Sequence, residues 1–398
     1  MVRAMQIKVG NVITEEWRNI FNDRRLFAVL FIVPLLYTLM FGYLYSNHRV
    51  TDLTTVVVDH DESQLSREII QYFDQSNSLK VTERLFSEEE AKEALADETA
   101  RVAVIIPEGF TKSIKDGEVL PVLTLIDGSN MLIANSATRA ANEVISTVSA
   151  GIGAEKLQKQ GARMEEVTST FQTVPFRSRV LYNPTFNYSE FLVYGLIGAV
   201  LQQVLLLGIA LTVTRDKESG AWHRFIAWRH VPWRIAYAKT VPYFLIGMFN
   251  TFSTLLVAIY WFQLPLRSVF WPVILLAVTF TFALLGIGYL SSLLSSNQVG
   301  ATQITMLIAL PSFLLSGFTW PFEAMPKALE VIGHLLPLTY FLDGVRQLYI
   351  KGSDFSSVWY DCLMLGLMGL GTFFVAFVIS SMQRFWTGKQ EKDTSLSA

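Results

Sequence analysis

Thr214-Arg215-Asp216-Lys217-Glu218-Ser219-Gly220-Ala221-Trp222-His223-Arg224-Phe225, continuing through Ile226 and Val231 into Pro232-Trp233-Arg234-Ile235-Ala236-Tyr237-Ala238-Lys239, lies between two long apolar segments. Its basic residues, Arg215, Lys217, Arg224, Arg229, Arg234 and Lys239, mark a cytoplasmic loop, because Lys and Arg beside spans are retained on that side of a membrane. Trp222, Phe225, Ile226 and Trp228 alternate with His223, Arg224 and Arg229 at close to helical spacing, and Pro232 is read as the stop. Two readings of this short amphipathic helix stand: a connector lying on the membrane surface, or a docking helix for a cytoplasmic partner.

The rest of the chain is read outward from this loop. Hydrophobic residues make up 51% and charged residues 17%, an excess of apolar side chains that belongs in lipid. The net charge of -2 shows no basic domain, which excludes a nucleic-acid binder of the usual kind. The single cysteine, Cys362, sits in an apolar run, and His48, His60, His223, His230 and His334 have no ligand spacing, so no metal site is expected. Apolar runs predict spans at Leu26 to Tyr45, Phe191 to Val213, Val241 to Leu264, Val269 to Leu294, Ala301 to about Phe318, and Val358 to Met382.

Met5 to Phe21 reads as an interfacial helix, and Arg24-Arg25 beside the first span place the amino terminus inside. Six spans then put the carboxyl terminus inside too, and the loop between spans three and four carries only Arg267. The polar region between the first two spans is long enough for a domain of its own. Strands are predicted at Leu53 to Val58, Val81 to Phe86, Arg101 to Ile106 and Val122 to Ile126, with helices at Leu65 to Phe73, Ser87 to Thr99 and Met131 to Gln160. The acidic group Asp59, Asp61 and Glu62 is read as a turn and helix cap. The fold class expected is an α-helical polytopic membrane protein with six transmembrane helices and an inserted extracytoplasmic α/β domain. Its parts are residues 1–25, an interfacial helix; 26–46, span one; 47–187, the α/β domain; 188–385, five spans with the loop 214–239; and 386–398, a cytoplasmic tail.

Residues 311–352 are too broken by Pro and Gly for one span and too apolar for a solvated loop. Two short helices dipping into the outer leaflet are predicted there, lining the outer end of a cavity. Gln202, Gln203, Asn250 and Gln303 are amides within spans: interhelical pairing, worth about 0.6 kcal/mol, is one reading and a place on a transport pathway the other. No charge interrupts a span centre, where it would cost about 2.5–3.5 kcal/mol, which argues against proton coupling and implies an apolar pathway. The span glycines, including Gly286, Gly288, Gly366, Gly369 and Gly371, are expected at close helix contacts. Asp343 and Arg346 are expected to pair, and Tyr43, Tyr45, Tyr188, Trp320 and Tyr340 to form an aromatic belt.

Leu315-Ser316-Gly317-Phe318 to Pro321, Met325-Pro326, Pro337-Leu338-Thr339-Tyr340 and Arg346 through Lys351-Gly352 resemble the carboxyl-terminal signature of type 2 ABC-transporter permeases. Arg215 to Gly220, with Pro232 and Lys239-Thr240-Val241-Pro242 behind it, resembles that family's coupling loop, and Val58-Asp59 to Ser66 the start of its outer domain in the bacterial drug-efflux-like branch. Ala221 to Phe225 departs from the family, which often has threonine and a leucine-rich run there. The resemblance implies an exporter half, in the bacterial plasma (inner) membrane, that pairs with a second permease chain as homo- or heterodimer and rests on an ABC ATPase subunit. By it, Arg215, Asp216, Lys217, Glu218 and Gly220 form a turn, Trp222 and Phe225 belong to the helix that meets the ATPase, and Gly317, Phe318, Pro321, Pro337 and Tyr340 form an outer gate. ATP and Mg are expected on the partner, since the chain lacks a Gly-x-x-x-x-Gly-Lys-Ser/Thr loop and Gly388-Lys389-Gln390 does not supply one. A drug, lipid or membrane-partitioning peptide is the cargo expected, with a periplasmic or membrane-fusion partner on the outside. The rival reading is a membrane-anchored receptor or assembly factor, to which a broken outer segment would be of no use.

Overall fold

Among the described residues, apolar helices of at least 18 residues recur six times: Arg24–Leu44, Ser189–Glu218, Pro232–Trp261, Phe270–Leu294, Gln298–Leu315 and Trp359–Gln383. The computed structural model describes residues 8–46, 51–116, 118, 120–159, 181–183, 187–222, 225 and 232–396. These fall into two compact units, one of residues 1–46 with 187–398 and one of residues 47–186.

In the first unit, spans two and four are the inner helices, with 67% and 61% of their apolar windows buried. Spans five and six bury only 22% each and turn most of their side chains outward, as helices in hydrocarbon can. Gly288 lets span four meet span two, since a Cβ there would fall 1.9 Å from Ile209 Cγ2. Gly286 and Gly369 do the same between spans four and six, whereas Gly366 and Gly371 have nothing within 4 Å and do not serve the close contacts expected of them.

Span one shows how a sequence break is absorbed. Pro34 has no N–H to offer the carbonyl four residues back, and its ring crowds that carbonyl. The helix widens to a π-turn over Ala28–Ile32, and the freed Leu30 carbonyl accepts the Asn250 amide of span three at 2.8 Å. The helix Val9–Asn22 precedes this span and buries Val12, Glu16 and Ile20 on one face.

Beyond span five, Lys327–His334 and Pro337–Lys351 are short helices bent by 82° at Leu335-Leu336, the broken geometry expected for this segment. It begins later than residue 311, because span five runs through Pro311 to Leu315. Arg346 does not bond Asp343. Its Nη2 donates to the Gly317 and Phe318 carbonyls at 3.2 Å each, and its guanidinium stands 5.0 Å over the Phe318 ring.

The second unit holds a four-stranded sheet in the order β2-β1-β3-β4, with β1 Leu53–Asp59, β2 Leu79–Leu85, β3 Val102–Ile106 and β4 Leu123–Ile126. β1 pairs in parallel with β2 and β3, and β4 runs antiparallel to β3. Helices cover both faces, as a mostly parallel sheet requires: Val57, Val104 and Phe73 pack on one side, Val58, Ala91 and Ile105 on the other. Asp59 accepts from the Asp61 and Glu62 N–H groups at 3.1 Å and from Ser66 Oγ at 2.7 Å, the turn role read from the sequence, whereas the cap of the helix that follows is Ser63, whose hydroxyl accepts the Ser66 N–H at 3.0 Å.

Asp127, after β4, ties this sheet by electrostatics. The Ser129 hydroxyl and N–H, then the Arg101 guanidinium at 2.6 Å, lower its pKa from 3.8 to about 2. A carboxyl depressed in the fold stabilises it fully above the ordinary value and loses that contribution as pH falls through the folded one. Asp127→Asn is therefore expected to lower the unit's unfolding midpoint at neutral pH. Thermal unfolding followed from pH 3.8 down to about 2 should show the gap to wild type closing.

Candidate coupling site at the loop end

Span two does not stop where its apolar run stops. The helix continues to Glu218, so Arg215, Asp216 and Lys217 form its last turn and not the turn expected from the resemblance. Gly220 ends it at φ +73°, the left-handed conformation that glycine adopts without a Cβ clash. A Cβ at Gly220 would meet nothing within 4 Å, so only the backbone resists substitution. Gly220→Ala is expected to lower stability by about 1 kcal/mol, read as a modest fall in thermal midpoint.

Pro232, read as a helix stop, is the first residue of span three. Its missing N–H costs nothing there, since the first turn has no acceptor for it. The helix thereby starts well before Val241 and carries Lys239 inside the bundle, 1% exposed. Buried ions need partners, because desolvation costs several kcal/mol apiece. Lys239 Nζ lies 2.5 Å from Glu16 Oε1 and 2.5 Å from Asp216 Oδ2, and Arg215 Nη2 lies 3.0 Å from Glu16 Oε2. Two acids and two bases thus close on one another where the helix Val9–Asn22 meets spans two and three. From sequence Glu16 is read only as part of the interfacial helix and Lys239 only as a loop cation within the family resemblance, and neither is expected in a buried cluster. The signal was there: Val12, Glu16 and Ile20 recur every four residues on one face, which puts the carboxylate in the middle of a buried stripe.

A second set of bonds ties the same turn to spans four and five. Ser292 Oγ accepts the Val213 and Thr214 N–H groups at 3.0 and 3.1 Å. Lys217 Nζ donates to the Leu293 and Ser295 carbonyls at 2.7 Å and to Ser292 O at 3.3 Å, satisfying the end of span four, where a cation is favoured. Glu218 accepts from the Gln298 N–H at 2.8 Å and from its side-chain amide, at the first turn of span five.

Trp222 and Phe225, expected on a surface shared with a partner, are instead 8% and 3% exposed, with ring centroids 5.9 Å apart, and Phe225 lies beneath the Lys239 ammonium. The helix expected over Ala221 to Trp228 otherwise lies outside the described residues.

The span amides do not converge. Asn250 is bonded to Leu30, Gln203 is half-buried, Gln303 is exposed, and among the described residues no hydrogen bond joins any two of the four with Gln202. Gln202 is fully buried in span two with neither amide atom hydrogen-bonded.

The expected gate residues gather at the opposite end of span two. Phe318 is buried, stacked at 5.3 Å on Phe191, and a Cβ on Gly195 would strike it at 2.3 Å. Gly317 turns the chain at φ +74° against Phe322. Pro337 opens the second short helix, and Pro321 is exposed. Tyr340 is 5% exposed and its hydroxyl donates to His334 O at 2.9 Å, so it belongs to this packing and not to an aromatic belt.

Known proteins resemble this chain along nearly all of its length. It is 25% identical over 352 residues to the probable multidrug ABC transporter permease YbhR of Escherichia coli (strain K12), covering 88% of this chain and 92% of that one. It is 22% identical over 379 residues to the linearmycin resistance permease protein LnrN of Bacillus subtilis (strain 168), covering 91% and 94%. With the inner membrane transport permease YhhJ of Escherichia coli (strain K12) the identity is 24% over 376 residues, 92% and 94% covered. Residues 24–378 match the model of the ABC-2 family transporter proteins, and with six apolar helices of spanning length among the described residues the chain belongs to that family of multi-pass permeases.

Proposed function

We propose that this protein is the transmembrane subunit of an ATP-driven exporter, paired with a second permease chain and served by an ATPase on a separate polypeptide, which holds the ATP and Mg. Both termini and the 214–239 loop lie in the cytoplasm of a bacterial cell, and the α/β unit of residues 47–186 lies outside, where it meets a periplasmic or membrane-fusion partner. The observation that carries this reading is the last turn of span two. It is bonded to the helix Val9–Asn22 through Glu16, to span three through Lys239, to span four through Lys217 and to span five through Glu218. A push on the loop reaches all of them together, which an anchor has no use for.

Cargo is hydrophobic or amphipathic. Among the described residues no fully buried charge stands near the middle of a span, since Asp216, Lys239 and Asp361 lie within about two turns of a span's end and Glu16 on the helix before span one, and the middle of span two offers one buried unpaired amide, Gln202, among apolar side chains. An unbonded buried amide costs about 1–3 kcal/mol, so Gln202 is the span-two side chain with most to gain from a polar group on the cargo. The packed cluster at Phe318, Pro337 and Tyr340 is the closed outer gate. Relatives named as a probable multidrug ABC transporter permease and a linearmycin resistance permease support cargo of this kind.

The test is purification of the tagged protein in nanodiscs with mass spectrometry of what accompanies it. A stoichiometric ATPase whose hydrolysis responds to changes in residues 215–220 is the expected result. Its absence, with an outer-side protein retained, would give the function to a membrane-anchored receptor.

A further inference from the structure

Spans three, four and six leave a groove of about 270 Å³ between them at the loop end. Its walls are aromatic and aliphatic: Trp233, Ala236 and Tyr237 from span three, Phe282 from span four, Phe373 and Phe377 from span six. The span-three wall runs from Pro232 to Thr240, about 12 Å at the helical rise. That is close to the depth of one leaflet's hydrocarbon, about 15 Å. The volume falls just under the range of sites for whole drug-sized ligands, about 300–1,000 Å³. Hydrocarbon of a single chain suits both the length and the lining.

The mouth of the groove has a different character. Trp233 and Tyr237 are 54% and 55% exposed, residue types that settle where hydrocarbon meets headgroups. Arg234 is exposed beside them, its guanidinium 5.5 Å from the Trp233 ring centroid. An exposed cation beside an apolar slot whose rim carries Trp and Tyr is complementary to a phosphate carrying an acyl chain.

We propose that this groove is a binding site for one anionic phospholipid of the loop-side leaflet, its acyl chain between spans three, four and six and its phosphate at Arg234. The site goes beyond the exporter reading and does not need it, since a receptor with the same six spans would hold the same lipid. Bound there, the lipid bridges the start of span three, which carries Lys239 of the charge cluster, to span six.

Native mass spectrometry of the delipidated full chain, offered equal phosphatidylglycerol and phosphatidylcholine of the same acyl composition, tests it. Wild type should retain phosphatidylglycerol in excess. Arg234→Gln, at an exposed position that leaves folding alone, should erase about fivefold of that preference, the effect of one basic residue at an anionic surface. Ala236→Phe, which fills the slot, should lower retention of both lipids. Thermal stabilisation by phosphatidylglycerol and not by inorganic phosphate would place the chain as well as the headgroup. The proposal is overturned if wild type retains both lipids equally, if Arg234→Gln keeps the preference, or if inorganic phosphate stabilises as well as lipid. It is overturned also if Ala236→Phe leaves lipid retention unchanged while dissociating a dimer, which would assign the groove to a second copy of the chain.

Discussion

Lys239→Met should lower the stability of the membrane unit by about 3–5 kcal/mol, the usual consequence of removing one partner from a buried ion pair. Lys239 Nζ is held between Glu16 and Asp216, both nearly inaccessible, and methionine fills the volume while leaving two carboxylates facing each other. Arg215 pairs with Glu16 at 3.0 Å and acts on Asp216 only through its longer-range field, so it does not replace the lysine. Glu16→Gln combined with Lys239→Met should be milder than the sum of the single changes, because the second substitution removes a charge that the first had stranded. Thermal unfolding of the detergent-solubilised protein measures both. A single-variant loss under about 1 kcal/mol, the range of exposed pairs, would mean that water reaches the cluster.

The same residues explain what could be read from the sequence and what could not. Alternation and turn residues locate strands in unit two because each strand pays its way locally: Val57 and Val58 pack on opposite faces, and Asp127-Gly128-Ser129 follows β4. Spans are legible for a similar reason, since a run such as Val269 to Leu294 has one stable solvent. Helix ends are harder. Hydropathy stops at Val213 and restarts at Val241, whereas the backbone continues wherever carbonyls find partners, so the charged turn Arg215–Glu218 and the stretch from Pro232 to Lys239 stay helical. Partners distant in sequence are harder again. Nothing near Lys239 names Glu16, which lies 223 residues away, and Asp343 was the nearer choice for Arg346 although the Gly317 and Phe318 carbonyls take it. The expected gate is the intermediate case: Gly317 and Pro337 mark turns in any context, but Phe318 matters through Phe191 and Gly195 of another helix.

Glu218→Ala should separate transport from folding. The side chain is exposed and contributes little to the core, so insertion, pairing of chains and thermal midpoint should stay near wild type. What it loses is the link from the end of span two to the Gln298 N–H and side chain at the start of span five. If the ATPase acts on the loop, the coupling carried by this link lies in the usual range of about 1–3 kcal/mol, and transport per ATP hydrolysed should fall by about 5–150-fold. Glu218→Gln keeps an acceptor for the Gln298 N–H and should recover part of the activity. Lys217→Met cuts the parallel link to the Leu293 and Ser295 carbonyls, and the two changes together should exceed either alone. Transport into inverted vesicles, with hydrolysis measured in the same preparation, distinguishes the outcomes. Loss of stability in step with loss of transport would reduce Glu218 to a structural tie. Unchanged transport with both links cut would show that the push travels through the Glu16 and Lys239 cluster instead, to the amino-terminal helix and span three.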